Sequence, residues 1–185
     1  ITVVETVTDI NVGDKKYRIV PWACDPFADG NKFDAIFAHF DIQSFKLNDF
    51  KVSETGYTPK ELFKNCDVVY TGHYHERQFR EYQKGKKKIC YVGTPLQVGK
   101  NEAGKDSFLH ILDMETNKIV EEFENTFSPK FITVNASDLI KDPTIAKNNI
   151  VDVVFDVDRE ENLEKIELIL EKTKTFSYKL KSTDH

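Results

Sequence analysis

Two histidines spaced two residues apart are the residues of this sequence whose types most directly suggest chemistry. His73 and His75 follow residues 68–72, a β-branched and aromatic run that favours a buried strand and ends at Gly72. In extended backbone, residues two apart lie on one face, so both imidazoles could reach a common centre. Imidazole is the commonest metal ligand in proteins. The pair predicts a metal site, although this spacing also occurs by chance.

A third histidine has a similar setting. His39 ends another apolar run, residues 33–40. If the two runs are neighbouring strands of one sheet, their ends bring the three histidines together, as sites in α/β folds are built. The alternative for His39 is a hydrogen-bonded histidine of the core.

Four short motifs carry a resemblance to a known family. They are Ile19-Val20-Pro21-Trp22, Ala38-His39-Phe40, Thr71-Gly72-His73-Tyr74-His75 and Tyr91-Val92-Gly93-Thr94-Pro95. In this order they resemble the second half of a calcineurin-like metallophosphoesterase. The likeness is greatest to the SbcD-type nuclease subunits of DNA repair and recombination, in particular their bacteriophage branch. It covers roughly residues 1–134 well and the rest in outline.

The resemblance implies an α/β (mixed α+β) fold. Residues 1–130 would form the C-terminal part of the nuclease domain, a partial β-sandwich with flanking helices. Residues 131–185 would begin a small α+β capping module that helps to hold DNA.

The implied activity is two-metal hydrolysis of DNA, as an exonuclease or endonuclease that works with an SMC-like ATPase in recombination and double-strand-break repair. By the family pattern, His39 and His73 bind one metal and His75 the other, with Mn²⁺ as the ion and Fe²⁺ or Zn²⁺ as alternatives. The family's Asp-x-His, Gly-Asp and Gly-Asn-His motifs are absent from this sequence. We therefore expect the catalytic residues in a segment before Ile1, and the chain alone to be inactive. The full-length protein would be a homodimer in the host cytoplasm, associated with the nucleoid.

Further residues are candidates for the cleft and for DNA. The cleft candidates are Gly72, Tyr74, Gly93 and Thr94. The backbone of the Gly-Thr-Pro element could support the histidine loop or line the cleft, and the alternative is an ordinary turn. Basic residues in and before one predicted turn could contact DNA phosphates, or the turn could simply be solvated. They are Arg77, Arg80, Lys84, Lys86, Lys87 and Lys88.

Composition and charge restrict the functions that this chain can have. The 185-residue chain has a formal net charge of −5, so contact with DNA must use local patches. No apolar run is long enough to span a membrane, and three widely spaced cysteines predict reduced core residues of a cytoplasmic protein. Two other functions stay open: a phosphoesterase of nucleotides or small phosphodiesters, and a non-catalytic docking fragment.

The rest of the sequence predicts the secondary-structure elements that must position the candidate site residues. His110 is expected to be a sheet residue rather than a ligand. A capping box at Thr58-Pro59-Lys60-Glu61 predicts a helix start. Residues 41–57 are expected to be irregular, either near the cleft or solvated. The predicted strands are 1–7, 16–20, 33–40, 67–71, 77–82, 88–92, a hairpin within 106–123, 128–134, an alternating strand 150–157, and 176–180. A polar loop is expected over 142–149 and a helix after Asp158.

Overall fold

A computed structural model of the chain describes residues 3–27, 29–48 and 50–181. They form a mixed α+β fold, as the sequence predicts. The strands are β1 Thr8–Val12, β2 Lys15–Val20, β3 Phe33–His39, β4 Cys66–Gly72, β5 Gln78–Tyr82, β6 Lys87–Tyr91, β7 Phe108–Asp113, β8 Lys118–Glu124, β9 Phe131–Asn135, β10 Ile150–Val154 and β11 Ser177–Lys181. The helices are α1 Pro59–Leu62, α2 Ala136–Lys141 and α3 Arg159–Lys172, with 3₁₀ turns at Lys100–Glu102 and Pro143–Ala146.

The chain divides into two compact units. The first contains residues 1–94 and 108–123, and the second contains residues 95–107 and 124–185. A boundary at residue 130 was expected from the sequence. That position falls inside the second unit, which also takes residues 95–107 from the middle of the chain.

A six-stranded sheet in the order β1-β2-β3-β4-β6-β5 forms the first unit. Strands β2, β3, β4 and β6 are parallel, and the edge strands β1 and β5 are antiparallel to their neighbours. Parallel strands covered on both faces have continuous rather than alternating apolar runs. In β4 the consecutive residues Val68, Val69 and Tyr70 are accordingly all buried.

Each face of this sheet has its own core. The β7–β8 hairpin packs on one face through Leu112, Met114 and Ile119. His110, in β7, keeps its side chain mostly buried, with Nε2 3.1 Å from the carbonyl oxygen of Val92. This confirms that it is a sheet residue. The buried residues of the other face include Val20, Ile36, Ile42, Phe45, Leu62, Val69 and Ile89.

The segment 41–57 is irregular, as expected; a few of its side chains anchor it to the core, while most of its described residues are exposed. Ile42 and Phe45 are fully buried, and isolated bridges join Ile42 to Tyr57 and Lys46 to Val52. Helix α1 begins with the predicted capping box, in which the side chains of Thr58 and Glu61 exchange hydrogen bonds with each other's backbone N–H.

The strand predicted over residues 1–7 is wrong, because residues 3–7 lie outside any strand and β1 begins at Thr8. A two-residue turn at Gly13-Asp14 pairs Val12 with Lys15 and so fixes the register of the β1–β2 hairpin. Residues 1 and 2 lie outside the described part of the chain.

The second unit contains a parallel sheet in the order β11-β10-β9. The predicted β-α-β arrangement is present, and Asp158 caps α3 by accepting from the N–H of Glu161. The alternation predicted for residues 150–157 is wrong: Val151, Asp152 and Val153 are consecutively buried because β10 is the central strand. Helix α2 was not expected from the sequence, and the expected polar loop contains a 3₁₀ turn. Among the described residues, no helix has the length and apolar character needed to cross a membrane.

Candidate metal centre

His39 and His73 lie side by side at the carboxyl edge of the six-stranded sheet. β3 ends at His39, β4 ends at Gly72, and the parallel register pairs these two residues. The imidazole centroids are 5.4 Å apart, with 71° between the ring planes. His39 is exposed and His73 is half-buried, so the rings face solvent and not a dry interior. The predicted meeting of these two strand ends is confirmed.

Gly72 makes room for the His39 ring. A Cβ built at this position would lie 2.9 Å from Nδ1 and 3.3 Å from Cε1 of His39. Both distances are shorter than the optimum of about 3.5–4.0 Å between non-bonded heavy atoms. The absent side chain therefore lets the imidazole lie directly against the β4 backbone, beside His73.

The chain does not stay extended between His73 and His75, contrary to the reasoning that placed both on one face. His73 has φ +97°, and residues 73–76 form a bend. A non-glycine residue in such a conformation costs about 1–3 kcal/mol, and such residues are concentrated at functional sites. His75 is exposed on the same bend, close enough to influence the ionisation of His39.

Trp22 forms the third ring of an aromatic cluster with the two histidines. Its indole stacks on His73, with centroids 5.0 Å apart and 27° between planes, and presents an edge to His39 at 5.4 Å. A turn closed by the Cys24 N–H to the Pro21 carbonyl places it there, with Ala23 at φ +62°. The indole therefore packs against both imidazoles.

Hydrogen bonds around Asp41 and Tyr74 support the bend at residues 73–76. The Asp41 carboxylate accepts hydrogen bonds from the hydroxyls of Ser53, Thr55 and Tyr74. Burial alone would raise the pKa of Asp41, but these hydrogen bonds and nearby His73 outweigh it, so the pKa lies below its usual value. Burial, together with the bond to Asp41, raises the pKa of Tyr74 to about 12. Tyr74 is buried. It supports the bend through its hydrogen bond to Asp41 and does not line an open cleft.

The surroundings of His39 lower the pKa of its imidazole below the usual value. The main cause is partial desolvation of the ring, which is otherwise exposed, followed by the neighbouring His73 and His75. A metal binds the neutral imidazole, so a lowered pKa reduces the competition from protons at neutral pH.

The Gly93–Thr94 turn supports the histidine bend through its backbone. The Thr94 N–H donates to the carbonyl oxygen of His75 at 3.1 Å. A Cβ at Gly93, which has φ +77°, would lie 3.0 Å from that same carbonyl oxygen. These backbone contacts favour support of the histidine loop over an ordinary turn.

The two candidate arginines are held by neighbours in the first unit. Arg77 forms an ion pair with Glu122, and the Arg80 guanidinium lies over the ring of Phe45 at 4.5 Å. Both side chains therefore already have partners within the first unit.

The four candidate lysines lie at the opposite edge of the sheet from the histidines. Lys88 is paired in register with Val68, near the amino end of β4, whereas His73 follows its carboxyl end. At about 3.3 Å per strand residue, the turn carrying Lys84 and Lys86 is about 20 Å from the imidazoles. These lysines cannot contact a phosphate that is bound by His39 and His73.

The histidine pair fits part of a metal site. Imidazole nitrogens bind Zn²⁺ at about 2.0–2.1 Å, which places two ring centroids on a shared ion about 5 Å apart. The separation of His39 and His73, 5.4 Å, is close to this. Within the described residues, however, no three or more His, Cys, Asp or Glu side chains are grouped so that they could hold a metal ion. His39, His73 and His75 therefore do not make a complete centre among themselves.

Comparison with models of known protein families gave no match, and comparison with curated proteins gave none either. The assignment of the site therefore depends on its geometry and on the sequence motifs. Sequence reasoning missed Trp22 and Asp41 as parts of this site. Trp22 follows the end of β2, which pairs with β3, so the end-of-strand argument that located His39 could have located it too.

Proposed function

We propose that this chain contributes imidazole ligands to the two-metal centre of a phosphodiesterase, most specifically a DNA exonuclease or endonuclease. The observation that carries the proposal is the pair of His39 and His73 rings, 5.4 Å apart at the ends of adjacent parallel strands. The order of the motifs around them supports the nuclease class. The wider biological role follows the same resemblance: a homodimer acting with an SMC-like ATPase in the host cytoplasm.

In this proposal His39 and His73 bind one Mn²⁺ and His75 binds a second, with Fe²⁺ or Zn²⁺ as alternatives. Bound in this way, the cations would supply an activated water and neutralise charge on the phosphoryl oxygens. The remaining ligands would have to be residues other than those the structure describes.

The other residues of the site have supporting roles. Trp22 holds the His73 ring by stacking, Gly72 admits the His39 ring, and Asp41 with Tyr74 fixes the bend. Such orientation of ligands is what keeps a metal site in its productive geometry.

The test is a comparison of two histidine variants. The protein, with any residues encoded before Ile1, is assayed with Mn²⁺ on linear duplex DNA and on a small phosphodiester. We expect His73→Asn, whose side chain tolerates positive φ, to lower hydrolysis by more than the roughly 10- to 100-fold typical of a residue that only supports a ligand. His110→Asn is the matched control, because His110 is bonded within the sheet. Equal activities of the two variants would refute the proposal.

A second candidate is a phosphoesterase of nucleotides or small phosphodiesters. It is favoured by the net charge of −5 and by the distance between the basic turn and the histidines. Hydrolysis of the small ester without hydrolysis of duplex DNA would establish this alternative and exclude the nuclease. A non-catalytic docking role would leave both substrates intact and show no Mn²⁺-dependent rise in melting temperature.

A further inference from the structure

A groove lined by lysines runs along the amino edge of the six-stranded sheet. It has a volume of about 590 Å³ and is built where β2, β3, β4 and β6 begin, together with the β7–β8 turn. It therefore lies at the end of the sheet opposite to His39 and His73. Every residue that lines it belongs to the first unit.

The groove concentrates positive charge in an acidic protein. Seven lysines and two aspartates line it, which gives a local formal charge of +5. Because the whole chain carries −5, the remaining residues together carry −10. A cluster of like charges is unfavourable without a counter-charge, so this asymmetry indicates a surface for an anionic partner.

Some of these lysines are neutralised within the fold. Lys15 bonds to Asp34 at 2.9 Å, and Lys87 lies 3.3 Å from Asp67 while donating to the Phe63 carbonyl. Lys88 lies 3.4 Å from Glu81. These three side chains are held in place and contribute little uncompensated charge.

Four other lysines of the groove are exposed and form no ion pair through their side chains within the described residues. They are Lys32, Lys64, Lys86 and Lys118. The charge of Lys64 acts on Glu61 and that of Lys118 on Asp113, whereas Lys32 and Lys86 face no such carboxylate in the described part of the chain. Lys32 precedes β3, Lys64 precedes β4 and Lys86 precedes β6, so three of them come from adjacent strands. Neighbouring strands are about 4.8 Å apart, which arranges these ammonium groups in a row across the sheet edge rather than around a point.

A row of lysines fits a chain of phosphates better than one compact anion. Ammonium groups act as point charges toward phosphate, and contacts to phosphate carry no information about base sequence. Each amide that lines the groove is held by one hydrogen bond within the fold: Asn65 donates to the Asn31 carbonyl and Asn117 accepts from the Tyr17 hydroxyl. Little is left in the groove to recognise bases.

We propose that this groove binds the phosphate backbone of a nucleic acid, independently of sequence, at a site separate from the histidine centre. The histidines would act on one part of a strand while the groove holds another part, or another molecule, about 20 Å away as judged from the strand length. The groove itself does not depend on the proposed hydrolytic function, because neither metal nor imidazole takes part in it.

The test measures how salt weakens binding. The equilibrium constant for a fluorescent 20-base-pair duplex is measured by anisotropy in EDTA at 50–200 mM salt. With four phosphates neutralised, log K should fall against log[salt] with a slope of about −3.6, which is roughly a 150-fold loss over that range. Replacing Lys32 and Lys64 by Gln should reduce the slope by about 0.9 for each lysine.

Matched controls and a rival ligand decide the outcome. Lys165→Gln with Lys172→Gln removes the same charge from α3 in the second unit and should leave affinity and slope unchanged. Equal losses in the groove and control variants would overturn the proposal, as would a poly-glutamate peptide binding as tightly as the duplex. The His73→Asn variant should bind duplex normally in EDTA, so loss of hydrolysis and loss of binding are separate results.

Discussion

Replacing Gly72 by alanine places a methyl group against the His39 ring without removing any ligand. The added Cβ would lie 2.9 Å from Nδ1. Because comfortable contacts are about 3.5 Å or longer, the ring must withdraw by roughly 0.5 Å or more. The backbone at Gly72 does not have positive φ, so alanine introduces no backbone strain there.

The expected effects on stability and on metal binding differ greatly. His39 is exposed and can adjust, and an off-rotamer side chain costs about 0.5–1.5 kcal/mol, so the free energy of unfolding should fall by about 1 kcal/mol or less. Ligands must be held within about 0.5 Å of the productive geometry. We therefore expect Zn²⁺ affinity to fall about 10- to 100-fold, as it does when the support of a ligand is lost.

Zn²⁺ calorimetry and urea denaturation measure the two quantities. Zn²⁺ is the preferred probe because a nitrogen site binds it more tightly than Mn²⁺. The matched control is Gly99→Ala, whose Cβ would lie 2.8 Å from Oδ1 of Asn101 in the second unit. It introduces a similar contact with a side-chain atom and should leave Zn²⁺ binding unchanged. Unchanged Zn²⁺ affinity in Gly72→Ala would refute the reasoning.

Three further predictions concern stability and reactivity. Asp152 is buried between Lys100 and Lys181, both more than a third exposed, so Asp152→Asn should destabilise by only about 1 kcal/mol. Replacing both lysines by Met should lower the free energy of unfolding further at pH 7, because the buried carboxylate is left without a partner. Urea titrations should show this loss of stability shrinking as the pH falls and the carboxyl group is protonated. Ala23→Gly should raise the free energy of unfolding by about 0.5–1 kcal/mol. Glycine removes the penalty of φ +62°, and this gain is partly offset by a more flexible unfolded chain. An unchanged urea midpoint would contradict this. Burial raises the pKa of the Cys66 thiol to about 12, so iodoacetamide at pH 8 should alkylate it only in unfolded protein, as mass spectrometry can determine.

The sequence predicted the site best where an apolar run and the end of a strand coincide. His39 and Gly72 end two apolar runs, and parallel pairing in register was enough to bring His39 and His73 together. The capping box at Thr58 and Glu61 was equally local, since both partners lie within four residues.

Features that depend on tertiary contacts could not be predicted in this way. The positive φ of His73 breaks the alternation on which the pairing of His73 and His75 was argued. The continuous burial of β10 follows from its central place in the sheet. The lysine turn lies at the far edge because β6 runs parallel to β4, a pairing that sequence alone does not reveal.

The most direct test of the central claim is anomalous diffraction at the manganese edge from crystals of the protein grown with Mn²⁺. We predict a peak within bonding distance of the imidazole nitrogens of His39 and His73, and its loss in His73→Asn. A map with no peak at this pair would contradict the account, as would an imidazole pair that remains hydrogen-bonded to water at saturating Mn²⁺.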